Sequence, residues 1–140
     1  MDKGLLKYDV KVLLALKEAI GGKDTFFHWL LESGHPELGA FSNFLQDDPG
    51  AEGFLIRSGH PWLGILSHAI DGEPKARAWV QANLHEANMM FVLACRNDEK
   101  ARSWLRFMKL DTLLMLAEAV ADLRDKQELD RAYPYKMKFS

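Results

Sequence analysis

A chain of 140 residues, 48% apolar and 27% charged, is long enough to bury a core of its own and too apolar to stay disordered. A formal net charge of −2 gives no general attraction for nucleic acid, and a lone cysteine, Cys95, excludes an intramolecular disulfide and suits a reducing, cytoplasmic setting. The apolar stretch from Val10 to Ile20 is broken by Lys11, Lys17 and Glu18, so it reads as neither a signal sequence nor a membrane span, and no other run approaches the roughly 18 apolar residues a span needs.

From the N-terminus onward, the chain reads as a pair of helices that recurs every 25 residues. Tyr8–Leu30 is a faint first copy. Ser33–Leu55 and Ser58–Val80 align without a gap and share the whole Ser-Gly-His-Pro start. Asn83–Leu105 continues in register through its histidine, Lys-Ala-Arg or related residues and Trp104, and Met108 opens a fifth copy. The units are approximately 8–32, 33–57, 58–82, 83–107 and 108–126, followed by a tail over 127–140.

The columns of this alignment predict two helices per unit. Leu13, Leu38, Leu63 and Leu113 share one column; Leu16, Phe41, Leu66, Phe91 and Leu116 the next; Ile20, Leu45, Ile70, Cys95 and Val120 a third. Their spacing of i, i+3 and i+7 makes one apolar stripe on a first helix. A shorter second helix carries Ala51, Ala76 and Ala101, then Trp29, Phe54, Trp79 and Trp104, then Leu30, Leu55, Val80 and Leu105, and the tryptophans are expected in the core. Gly22, Gly72 and Asn97 stand where a left-handed residue ends a first helix, and Gly34 and Gly59 close second helices. Asp48-Pro49 and Glu73-Pro74 read as a cap followed by proline at the first helical position, as do the His-Pro pairs that open first helices. One such hairpin cannot bury its apolar face alone, so the expected fold is all-α: a single solenoid-like array of about five stacked α-hairpins.

The unit His-Pro-x-Leu, a helix ending near glycine, then Ala-x-x-(Trp/Phe)-(Leu/Val) and Ser-Gly resembles the two-helix part of an ankyrin repeat, most clearly over residues 33–105. His35-Pro36 and His60-Pro61 correspond to the Thr-Pro of that family, and Trp29-Leu30, Phe54-Leu55 and Trp79-Val80 to its paired leucines. A 25-residue period leaves no room for the ankyrin β-hairpin finger, so the likeness is to a fingerless ankyrin-like array of the kind found in uncharacterised bacterial proteins. It implies binding of another protein and says nothing about chemistry.

Residues that could carry chemistry read mostly as structure. His35, His60 and His85 recur one unit apart, which is too far for two of them to share a metal, and fit caps at helix starts; His28 and His68 fall in polar, varying columns and read as surface. Asp47-Asp48 and Asp98-Glu99 stand where second helices begin, a place that favours carboxylates. No nucleophile elbow, metal motif or cofactor motif appears, so no catalysis, metal or cofactor is expected.

Contact residues for a partner come from positions that break the pattern. Trp62 shares a column with Val12, Glu37, Ala87 and Thr112, which imposes no aromatic rule, so it is the first choice for a binding hot spot. The first helix of unit four, Ala87–Cys95, is apolar nearly all round, with Asn88 in place of the column leucine; Met89 and Met90 become a docking patch unless a C-terminal tail bearing Tyr133, Tyr135 and Phe139 covers them. Charge is uneven: Leu30 to Gly53 holds five acids and no base, whereas Lys75 to Lys109 holds seven bases against three acids. Self-association through these opposed ends is expected. Lys75, Arg77, Lys100 and Arg102 recur at 25 residues as a basic stripe, so a nucleic-acid-binding array is the second reading after a protein-interaction or scaffold module, and a small enzyme the third.

Overall fold

Proline or an acidic residue opens most of the helices, and a left-handed residue closes most of them. The computed structural model describes residues 1–132 and, among these, contains no strand. A 3-10 turn, Gly4–Lys7, precedes α1 (Val10–Ile20), α2 (Asp24–Glu32), α3 (Pro36–Leu45), α4 (Gly50–Arg57), α5 (Pro61–Ile70), α6 (Pro74–Asn83), α7 (Glu86–Ala94), α8 (Glu99–Phe107) and α9 (Asp111–Ala132).

The punctuation follows the sequence with instructive exceptions. Gly22, Asp47, Gly72 and Asn97 all have positive φ after α1, α3, α5 and α7, and Gly34, Gly59 and Lys109 do so after α2, α4 and α8. At three junctions into a first helix the same backbone bond recurs: the N–H groups of His35, His60 and Leu110 donate to the carbonyls of Leu30, Leu55 and Leu105. The junction after α6 departs from this. Leu84 is extended there, and the His85 N–H donates instead to the carbonyl of Asp2 at 2.7 Å. Of the three helix-opening histidines, only His85 caps with its ring, accepting the Ala87 N–H at 3.1 Å; His35 and His60 make no side-chain cap. Helix α4 starts at Gly50, one residue past Pro49, with the Asp48 carboxylate accepting the Gly50 N–H.

Consecutive helices pack as hairpins, α1 with α2 through α7 with α8. The first helices also touch in succession, α1 to α3, α3 to α5, α5 to α7 and α7 to α9. An open solenoid would end there, but α9 packs back along α1, so the circuit closes. Leu16, Phe41, Leu66, Phe91 and Leu116 are fully buried in one continuous core. The closure follows from α9, which has no hairpin mate among the described residues. Where Gly22, Asp47, Gly72 and Asn97 stop their helices, α9 has Asp122 inside an unbroken run of helix formers and continues to Ala132, beyond the expected end of the fifth unit at residue 126.

Both ends of the circuit are covered by the ends of the described chain. Residues 2–8 cross the N-terminal ends of the first helices: Tyr8 reaches Glu37 on α3, Lys7 lies over Trp62 on α5, and Leu5 bonds to Asn88 on α7. At the opposite end the second half of α9 crosses their C-termini. Gln127 donates to the Leu45 carbonyl at 2.9 Å, and Arg124 pairs with Asp71 at 2.6 Å.

Candidate functional site

The residues singled out for binding fall in three separate places. Trp62 stands at the start of α5, half-buried, with the Lys7 ammonium 4.7 Å from its ring centroid. Its column is not a free surface. Val12, Glu37 and Ala87 in the same column are buried, because the N-terminal segment and neighbouring helices cover them. The Tyr8 hydroxyl donates to Glu37 Oε2 at 2.9 Å, the Tyr8 ring meets His35 edge-on, and His60 Nε2 lies 3.9 Å from the same carboxylate. Burial pushes the Tyr8 phenol well above its ordinary value, with the hydrogen bond to Glu37 and the charges of Glu37 and Asp2 adding to the shift.

The methionine patch is corrected. Met89 is buried and Met90 half-buried. Helix α7 is apolar nearly all round because it is enclosed by α5, α6, α8, α9 and the N-terminal 3-10 turn. The tail residues Tyr133, Tyr135 and Phe139, named as its cover, lie outside the described residues. Asn88 explains itself in the same way: fully buried, it accepts the Leu5 N–H through Oδ1 at 2.9 Å and donates through Nδ2 to the carbonyls of Lys3 and His85. Gly4, at φ +59°, passes so close that a Cβ there would overlap the Asn88 amide.

The basic stripe divides into two kinds of residue. Lys75 and Lys100 are exposed, whereas Arg77 and Arg102 are half-buried and turned to internal duties. Arg77 Nε donates to the Ala69 carbonyl near the C-terminus of α5, and Arg102 bonds to Asn97 Oδ1 at 2.7 Å. Arg96, outside the stripe, does the same for the Ile70 carbonyl. Cations at helix C-termini complement the carbonyl end of the dipole, which accounts for these placements without an external anion.

Two polar assemblies escaped the sequence reading. His68, expected as a plain surface residue, sits between Glu52 on Nε2 at 2.6 Å and Glu73 on Nδ1 at 2.7 Å. Beneath the second half of α9 lies a cleft of about 620 Å³ lined by Asp47, Asp71, Arg96, Arg124 and Arg131, with buried Cys95 at its wall. Their members come from several helices, so no local spacing announces them. Among the described residues, no group of three or more His, Cys, Asp or Glu side chains is placed to hold a metal.

The surface that stands out is apolar. A groove of about 730 Å³ runs between α1, α2 and α9, with Leu14, Phe26, Trp29 and Met115 among its walls and Val10 at its mouth. Val10 is 59% exposed, Met115 40% and Phe26 38%. Lys11 lies over the Trp29 ring at 5.5 Å, one of the few charges beside it. The tryptophan column explains part of this. Trp29, Trp79 and Trp104 are half-buried rather than core, because the second helices turn only Leu30, Leu55, Val80 and Leu105 fully inward. None of the groove residues was expected to bind a partner; each fits a repeat column that packs elsewhere in the chain. Comparison with protein-family models, with curated proteins and with solved structures finds no match for the chain.

Proposed function

We propose that the chain is a five-unit, ankyrin-like α-hairpin array closed into a ring, its fifth unit lacking a second helix, and that it serves as a non-catalytic protein-interaction or scaffold module in the cytoplasm. The observation that carries this reading is the groove between α1, α2 and α9, where Val10, Phe26 and Met115 leave apolar surface open to solvent. Apolar side chains gathered in one concavity, on a domain whose core is otherwise sealed, favour a protein partner over water. The likeness of the repeat unit to ankyrin hairpins supports the same class of function, and the single buried cysteine suits a reducing compartment. The test is affinity capture from an extract of the native host with wild-type chain and with the Val10→Glu, Met115→Glu double variant. The reading expects specific proteins on the wild type that the variant loses while its circular dichroism is unchanged. Equal capture by both refutes it.

A further inference from the structure

Each second helix lies between two first helices, its own and the one that follows. Helix α2 sits between α1 and α3, α4 between α3 and α5, α6 between α5 and α7, and α8 between α7 and α9. Because α9 also neighbours α1, the closed circuit has five such valleys, yet the described chain supplies four second helices. The fifth valley, between α9 and α1, is the apolar groove.

Individual columns show the same vacancy. One column of the first helices faces the second helix that comes before it: a Cβ on Gly39 would meet Phe27 and Leu31 of α2, and one on Gly64 would meet Glu52 of α4. Gly39, Gly64, Met89 and Leu114 in that column are buried. Leu14, which has no helix before it, is half-buried and lines the groove. In the adjacent column Ala15 and Ala40 are buried and Ile65 and Met90 half-buried, whereas Met115, which no second helix follows, is 40% exposed.

From this geometry we infer that the α9–α1 valley receives a short amphipathic helix of a partner protein, patterned like the second helices of this chain. That pattern is a small residue, an aromatic three positions on and an aliphatic beside it, as in Ala51-Phe54-Leu55, Ala76-Trp79-Val80 and Ala101-Trp104-Leu105. The walls already match such a guest. Helix α8 packs between α7 and α9, where the two columns hold Met90 and Leu114; the vacant valley offers Met115 and Leu14 at the same places. The chain's own last eight residues are a poor fit: Ala132 lies 17 residues past Met115, about 26 Å along the helix axis. Eight fully extended residues span at most about 29 Å, which leaves none to form a helical turn. The inference rests on the interaction-module reading and adds the chemistry of the partner.

The test uses a fluorescent peptide of residues 97–109, with Ser103→Lys bridged to Glu99 as a lactam because so short a helix is marginal alone. Anisotropy should show saturable binding of one peptide per chain. Val10→Glu and Met115→Glu, both at exposed positions, should each weaken binding at least tenfold, as should Trp104→Ala in the peptide, while Lys75→Ala on the chain leaves it unchanged. Absence of saturable binding, or binding indifferent to both groove substitutions, overturns the inference. So does a dimer in sedimentation that Val10→Glu disperses, which would make the occupant a second copy. Binding that appears only once residues 133–140 are removed overturns it as well, making the occupant the chain itself. If the peptide fails while the groove variants still lose proteins captured from extract, only the helical guest is wrong; if capture also survives the substitutions, the interaction reading falls with it.

Discussion

Asn88→Leu separates two ways of understanding this chain, because the repeat pattern and the three-dimensional contacts demand opposite outcomes. Leu13, Leu38, Leu63 and Leu113 occupy the corresponding positions, so restoring leucine should stabilise the fold if the column alone mattered. The structure predicts the reverse. Leucine deletes the acceptor of the Leu5 N–H and the donor to the Lys3 carbonyl, whereas the His85 carbonyl keeps its helical partner, the Asn88 N–H. Two orphaned buried groups cost about 1–3 kcal/mol each. The chain can limit that loss by letting residues 2–7 lift away, but Leu5, now fully buried, then returns to water at a cost of about 1.5–3 kcal/mol. Either route gives a loss of about 2–3 kcal/mol, well within the usual stability of about 5–15 kcal/mol for a domain, so the variant still folds. Urea unfolding followed by circular dichroism measures the loss, and hydrogen exchange at the Leu5 amide tells the two routes apart. A variant as stable as wild type, with the Leu5 amide still protected, refutes the assignment of Asn88 as anchor of the N-terminal segment.

Gly4→Ala should cost a similar amount, since its Cβ would collide with the Asn88 amide at a positive φ, and the double variant with Asn88→Leu should fall short of additivity in a mutant cycle. Stability should decline above about pH 10, where the unfolded phenol of Tyr8 ionises but the folded one, raised by burial and by Glu37, stays protonated; the contribution is whole below that pH and lost as pH rises, by up to about 1.4 kcal/mol per pH unit. Tyr8→Phe should flatten that decline in urea titrations taken from pH 8 to 11. Cys95, buried and with its thiol pushed up by burial, should react with Ellman's reagent at pH 8 only as fast as the chain unfolds; rapid labelling of the native protein would show that the α9 crossing opens.

The sequence carried the helices and their stops because both depend on nearby residues. Leu16 through Leu116 repeat with helical spacing, and Gly22, Gly72 and Asn97 adopt the left-handed backbone that their residue types tolerate. Closure was hidden because its cause is the missing stop at Asp122, which turns a hairpin into the 22-residue helix α9 and lets it reach α1, Leu45 and Asp71. Asn88 was visible as an exception to its column, but its partner Leu5 lies 83 residues away in the chain. Met89 and Trp62 misled for a common reason: the N-terminal segment and adjoining helices cover positions that a pattern of identities cannot show as covered. The groove is the converse case. Val10, Leu14 and Met115 look like ordinary repeat positions, and their exposure comes from the helix that no residue of the described chain provides.

The account turns on that unfilled valley between α9 and α1, and chemical-shift mapping of the ring-closed chain with the bridged 97–109 peptide examines it most directly. Resonances of Val10, Leu14, the Trp29 indole and the Met115 methyl should move together and saturate at one equivalent, with Trp62 and Lys100 unaffected. Shifts centred on Trp62, or on the exposed faces of α6 and α8 with the valley silent, would contradict it.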